Sequence, residues 1–215
     1  MIIDHTHPEY RKRRLNHKIG KYNGAYYYSK EIVKYIIPNV ETDRHWVTIN
    51  QPVKEDISHG IVFIHNNINP NRYKWLQDFD DLILICGVPS TTDNMRFYGR
   101  PIYLPLSVKV DEIAKYRLKN KTKEVAFAGR IRKINNRIPS QCDRLSELTR
   151  SELLKEMAHY KQIYAVGRTA IEAKILGCEI LVYDERFPDP KFWQILDSLD
   201  AAKMLQEKLY HIDGK

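Results

Sequence analysis

Hydrophobic residues in this chain form short continuous runs separated by polar and amphipathic segments. The runs at 61–64 and 82–85 contain four apolar residues each and no polar one. Strands covered on both faces of a parallel sheet typically show such runs. Together with strand-like segments at 45–50 and 101–104, they predict a parallel sheet in the first half of the chain.

Helical periodicity precedes this sheet. Within 26–37, Ile32, Val33, Ile36 and Ile37 recur at helical spacing, and Pro38 ends the pattern. A short amphipathic helix is predicted at 72–79, and the first 22 residues are polar and basic without a clear assignment.

The second half of the chain alternates strands and helices more regularly. Thr149 and Glu152 have the spacing of a capping box, which predicts a helix after Thr149. Further predicted strands lie at 124–128, 162–166 and 179–183, and further helices lie at 170–176, 191–196 and 201–210. Short loops between alternating strands and helices indicate a parallel sheet with right-handed crossovers.

A charged segment at 107–122 separates the two strand-rich halves. We therefore expect an N-terminal Rossmann-like domain at 1–106, a linker at 107–122 and a C-terminal Rossmann-like domain at 123–215. The predicted fold class is α/β, with two parallel-sheet halves facing a cleft.

The composition indicates which cellular compartment and which kind of ligand to expect. The net charge of +8 favours ligands that carry phosphate or other negative charge. Three cysteines without a C-x-x-C pair favour reduced thiols in a cytoplasmic protein over a disulfide scaffold or a cysteine zinc site. No apolar run approaches 18 residues, so neither a signal peptide nor a membrane span is predicted.

The candidate chemistry is concentrated where the predicted strand 162–166 meets the next helix. Gly167 allows an anion to approach the backbone, and the helix opening at Thr169 and Ala170 directs free N–H groups and the positive end of its dipole toward it. Glu172 lies one turn further on, where a carboxylate can accept both hydroxyls of a ribose. The alternative is structural, because Thr169 and Glu172 also have capping-box spacing.

These residues resemble the donor-binding domain of GT-B-type glycosyltransferases. In that family, Thr or Ser is followed by Glu three residues later and Gly five residues after that, as in Thr169, Glu172 and Gly177. The family also opens its second domain with a strand ending in Gly-Arg, as in Gly129 and Arg130, followed here by Arg132 and Lys133. The resemblance covers residues 123–185.

The resemblance implies a nucleoside-diphosphate sugar as donor substrate, no separate cofactor and no metal. The residues it assigns to donor or nucleotide binding are Gly129, Arg130, Lys133, Gly167, Arg168, Thr169, Ala170 and Glu172. Arg130 and Lys133 are expected at the diphosphate and Glu172 at the ribose. The chain departs from the family in its short length and in Tyr164, where many members have a second acidic residue.

Catalysis by an inverting enzyme requires a general base on the first domain, and His65 is the candidate because it follows a predicted strand. A retaining enzyme would not need it. The nucleobase, the sugar, the acceptor and the oligomeric state are left open by the sequence.

The sequence leaves two other functions open. The same fold could bind nucleotides or nucleic acid without catalysis. The basic stretch 11–21 could contact nucleic-acid phosphates, so a nucleic acid or another anionic molecule is a possible acceptor. Asp4, His5 and His7 resemble the first strand of metal-dependent hydrolases, but the later histidines do not fall at successive strand ends. We expect no metal there.

Overall fold

The computed structural model describes residues 24–48, 58–64, 76–129 and 135–214. In these residues the chain forms two separate four-stranded sheets in which every pair of neighbouring strands is parallel. The predicted α/β class with two parallel sheets is therefore confirmed.

The first sheet has the strand order β1-β2-β3-β4. Its strands are β1 (His45–Thr48), β2 (Gly60–Ile64), β3 (Ile83–Cys86) and β4 (Arg100–Tyr103). Every residue of the two central strands is buried, which is why their sequences are continuously apolar instead of alternating.

The second sheet has the order β6-β5-β7-β8. Its strands are β5 (Lys123–Phe127), β6 (Asp143–Arg144), β7 (Tyr160–Tyr164) and β8 (Glu179–Leu181). The edge strand β6 was not predicted, because it has only two residues, both charged and exposed.

Six α-helices accompany the sheets in the described part of the chain. They are α1 (Gly24–Glu31), α2 (Pro89–Asn94), α3 (Val110–Ala114), α4 (Arg150–Met157), α5 (Arg168–Ile175) and α6 (Ser198–Asp213). The predicted capping box of Thr149 and Glu152 is present at the start of α4, and Gly177 follows α5 with a φ of +80°. The predicted helix at 72–79 lies largely outside the described residues.

Two predicted helices differ from the structure. After Glu31 the first one continues as a π-helical turn, Ile32–Ile36, and a 3₁₀ turn, Ile37–Asn39. The helix predicted at 191–196 is only a 3₁₀ turn, Pro190–Phe192, because Trp193 has a non-helical backbone (φ −87°, ψ 79°). The buried Trp193 ring packs against Phe187, with 4.7 Å between ring centroids.

The chain divides into two compact units whose boundaries differ from those predicted. Of the described residues, one unit contains those of 29–106 with 199–214, and the other contains 24–28 with those of 107–198. The segment 107–122, expected as a linker, therefore belongs to the second unit. Val108 and Ile113 are fully buried, and Val108 pairs with Asp197 in a β-bridge.

Lys121, near the end of this segment, joins two helix ends in the second unit. Its ammonium group donates hydrogen bonds to the carbonyls of Ala158 (3.1 Å) and Leu176 (3.0 Å). These residues are the C-caps of α4 and α5. The last carbonyls of a helix have no partner within the helix and lie at the negative end of its dipole, so one cation stabilises both ends.

Replacing Lys121 with methionine tests this arrangement. Lys121→Met keeps the aliphatic chain but removes the donor, and we expect the free energy of unfolding to fall by about 1–3 kcal/mol. Urea denaturation measures the change. The exposed Lys119→Met serves as control and should change stability by less than about 0.5 kcal/mol; equal effects of the two substitutions would contradict the assigned role of Lys121.

Polar contacts hold α6 in the first unit. The Gln206 amide exchanges two hydrogen bonds with the backbone of Glu41, at 2.6 and 3.0 Å. The buried guanidinium of Arg44 lies 2.6 Å from Asp213 and 3.1 Å from Asp81. His59 Nδ1 lies 2.7 Å from Asp81 Oδ2, the same oxygen that accepts a hydrogen bond from Arg44 Nη1. The last helix of the chain is therefore part of the first unit.

This network predicts an acid-sensitive contribution to stability. The hydrogen bond with His59, and after it those from Arg44, hold the pKa of Asp81 below its ordinary value of 3.8. A carboxyl with a lowered folded-state pKa stabilises fully above its ordinary pKa and loses this contribution as the pH falls through the folded value.

We expect urea midpoints of the wild type to fall from about pH 5 downward, and Asp81→Asn to flatten this dependence while lowering stability at neutral pH. Asparagine tolerates the positive φ of 52° at this position. The exposed Asp78→Asn is the matched control. Parallel pH curves for wild type and Asp81→Asn would contradict the prediction.

Candidate functional site

The second sheet brings two of the predicted glycines to one edge. Gly129 follows β5 by two residues, and Gly167 follows β7 by three. The two strands are paired through Phe127 and Tyr164, and Ala128 N donates to Tyr164 O at 3.0 Å. Ligands of open parallel sheets bind at the carboxyl ends of the strands, so this edge is the candidate site.

Gly167 is the N-cap of α5 and has a φ of +64° and a ψ of −141°. This conformation strains any residue with a side chain. A Cβ atom at this position would meet no heavy atom within 4 Å. Glycine is therefore required by the backbone and not by packing, and the space beside it is open to a ligand.

The start of α5 provides donors next to this space. The Gly167 carbonyl accepts from Ala170 N (3.0 Å) and Ile171 N (3.3 Å). Thr169 is the second residue of this helix, and the first N–H groups of an α-helix have no acceptor within the helix itself. Unpaired N–H groups and the helix dipole together favour an anion at this position.

Gly129 has a different role from Gly167. A Cβ atom here would lie 2.6 Å from the ring of Phe127, so the glycine leaves room for that ring. Its carbonyl accepts a hydrogen bond from Ser146 Oγ at 3.0 Å. The chain leaving β5 is thereby fixed at the residue directly before Arg130.

Glu172 does not cap α5. The helix begins at Arg168, so Thr169 lies inside its first turn, and the N-cap Gly167 makes no side-chain hydrogen bond. The capping-box interpretation of Thr169 and Glu172 is therefore wrong. The helix starts earlier than predicted because Gly167 can adopt the positive φ from which it departs.

The Glu172 side chain is fully buried and ion-paired twice. Its Oε1 accepts from Arg168 Nε at 2.9 Å, one turn earlier in α5, and from Arg150 Nε at 3.3 Å. Arg150 is the first residue of α4 and lies over the ring of Tyr27, 4.8 Å from its centroid. We refer to Arg150, Arg168 and Glu172 as the Glu172 cluster.

No sequence motif indicates that Arg150 belongs to the site. It lies 22 residues from Glu172 on another helix, and no motif connects them. Arg168 was predicted to bind the donor, and in the structure its guanidinium is buried against Glu172. Glu172, the residue predicted to bind the ribose, is thus in contact with two arginines.

Several predicted residues lie outside the described part of the chain. They are His65, Arg130, Arg132, Lys133, the Asp4–His7 motif and the basic stretch 11–21. Among the described residues, no group of three or more His, Cys, Asp or Glu side chains could hold a metal ion. Within the same ranges, none of the helices combines the length and hydrophobicity that a membrane span requires.

The three cysteines are buried free thiols. Burial raises the pKa of Cys86 to about 12, so this thiol is a poor nucleophile near neutral pH. No catalytic role is assigned to it.

Comparison of the chain with protein-family models, curated proteins and solved structures finds no match. The candidate site therefore rests on its geometry and on the resemblance of the donor-binding motif.

The Glu172 cluster predicts a large effect of a small substitution. Glu172→Gln removes the charge that neutralises two guanidinium groups, one of them buried, and we expect a loss of about 3–5 kcal/mol of stability. Thermal and urea unfolding measure it. The control is Glu179→Gln in the same unit, an exposed residue that accepts a hydrogen bond from Gln162 at 2.7 Å. A loss below about 1 kcal/mol for Glu172→Gln would show that the cluster is not required for stability.

Proposed function

We propose that this protein is a glycosyltransferase of GT-B type that uses a nucleoside-diphosphate sugar as donor. The observation that carries the proposal is the open space at Gly167, directly before the first residues of α5. Two parallel four-stranded sheets agree with the architecture that the donor motif implies.

The donor diphosphate would bind at the start of α5. The N–H groups and the dipole at the start of α5 would act on it, together with Arg130 and Lys133 from the segment that follows β5 in the sequence. Gly129, the residue directly before Arg130 in the sequence, lies at the same edge of the sheet as Gly167.

The ribose would bind at the Glu172 cluster through an exchange of partners. The carboxylate has no exposure in this structure, so a ribose hydroxyl can reach it only if a guanidinium moves. Arg150 is the more exposed of the two arginines, with 14% of its side chain accessible against 4% for Arg168. Movement of Arg150 would uncover Glu172 and bring a cation toward the diphosphate.

The transfer step would join an acceptor oxygen to the anomeric carbon and break the bond from that carbon to the diphosphate. The basic residues and the helix start stabilise the charge that develops on the leaving diphosphate, which is the chemistry a divalent metal supplies in other transferases. In an inverting reaction, His65 would take the proton of the acceptor hydroxyl. A nucleic acid or another anionic molecule would suit the basic chain as acceptor.

A second candidate is a nucleotide- or nucleic-acid-binding module of the same fold. The burial of Glu172 favours this second candidate. While the Glu172 carboxylate is covered by the two arginines, it cannot hold the ribose of a sugar nucleotide. The start of α5 can still bind phosphate groups in that arrangement.

Calorimetric titration with uridine, guanosine and adenosine diphosphates tests the donor site. We expect one of them to bind the wild type, and Arg130→Gln and Lys133→Gln each to weaken it about 10- to 150-fold, the effect of losing a hydrogen bond between charged groups. The control is Lys155→Gln on the exposed face of α4. Absence of binding for all three diphosphates would exclude the proposed function.

Turnover separates the enzyme from the binding module. Release of diphosphate from UDP-glucose, UDP-N-acetylglucosamine and GDP-mannose is followed in the wild type and in His65→Gln. If the protein is an inverting transferase, the wild type should release diphosphate, and the rate of release should fall about 100-fold or more in His65→Gln. Both proteins should bind the diphosphate with equal affinity. Binding without release from any donor would favour the module.

A further inference from the structure

A cavity lies in the same unit as the candidate donor site. It has a volume of about 350 Å³, is open to solvent and is lined by two loops, 135–137 and 183–186. The second loop follows β8, which pairs with β7 in parallel. The cavity is therefore at the same edge of the second sheet as Gly167.

The charges that line this cavity are already paired. Arg137 Nη2 lies 2.6 Å from Glu185 Oε1, which connects the two loops. Arg186 donates to both oxygens of Asp184, at 2.9 and 2.6 Å. Two guanidinium groups and two carboxylates cancel, so the described lining offers no net attraction to a phosphate group.

The described lining also offers no flat apolar face. Its one aromatic residue, Tyr183, is 3% exposed, and its ring lies edge-on to Phe127 in the core. The backbone carbonyl of Tyr183 accepts a hydrogen bond from Asn135 Nδ2 at 2.9 Å, which fixes the two loops to each other. Nucleobases are usually held by stacking on aromatic or apolar side chains, so this lining does not suit a base.

We propose that this cavity binds a sugar ring. Carboxylates, guanidinium groups and amides that are paired with one another present donors and acceptors without net charge, and this arrangement suits an uncharged ligand rich in hydroxyl groups. Asn136 and Arg137 offer donors from one loop, and Asp184 and Glu185 offer acceptors from the other. The sugar can come from the donor or from the acceptor; the first source rests on the proposed function.

Two variants test the lining without touching the core. Asn136→Ala and Arg137→Gln change exposed side chains, so both proteins should fold. The control is Glu124→Gln, which removes an exposed ion pair of the same length, 2.6 Å to Lys161, from the same sheet. Saturation-transfer NMR with free glucose, galactose, mannose and N-acetylglucosamine measures sugar binding directly, and calorimetry compares UDP with UDP-glucose and GDP with GDP-mannose.

If the cavity binds the donor sugar, we expect Arg137→Gln to lower the affinity for a sugar nucleotide about 10-fold or more. The affinity for the matching diphosphate should stay as in the wild type. Asn136→Ala should weaken binding of the sugar nucleotide about 2- to 10-fold. An acceptor sugar predicts unchanged affinity for both nucleotides and loss of the NMR signal of a free sugar in the two variants.

The proposal is overturned if no free sugar gives a signal with the wild type and if sugar nucleotides bind wild type and variants equally. Failure of every diphosphate to bind excludes the proposed donor site but leaves the NMR test of this cavity valid. The two proposals can therefore fail separately.

Discussion

The second unit depends on pairing a carboxylate that has no contact with water. An ionised carboxylate in such a place needs opposite charge and hydrogen bonds, and Glu172 obtains them from Arg168 in its own helix and from Arg150 at the start of α4. Because Arg150 also lies over Tyr27 and 4.0 Å from Glu112, one ionic cluster connects α5 with α1, α3 and α4. The start of α5, where the candidate phosphate site lies, is held by these contacts.

The same cluster relates stability to ligand binding. A carboxylate fixed by two guanidinium groups positions its helix, but it cannot accept hydrogen bonds from a ribose until one of those groups moves. In the proposed function, an arriving diphosphate supplies negative charge next to the cluster and can attract Arg150 away from Glu172. The binding energy of the phosphate would then drive the uncovering of the ribose ligand.

Parallel strands explain why separate parts of the sequence meet at one edge of the second sheet. Gly129, Gly167 and the loop 183–186 follow three strands that run in the same direction, so all three leave the sheet on the same side. In the proposed function, the helix start would bind the charged part of one ligand. The polar cavity after the neighbouring strand, whose charges are paired with each other, would bind its hydroxyl-rich part.

The sequence by itself determined the elements whose signal is local. The apolar runs of β2 and β3 reflect burial on both faces, the Thr149 box marks the start of α4, and Gly167 marks a turn that only glycine makes without strain. The tertiary structure alone decided the partners. Glu172 was read as a possible cap because Thr169 is three residues before it, but its partner Arg150 comes from another helix. Likewise, α6 belongs to the first unit because Arg44 and Glu41 contact it from more than 160 residues away, and such contacts leave no periodic pattern in a sequence.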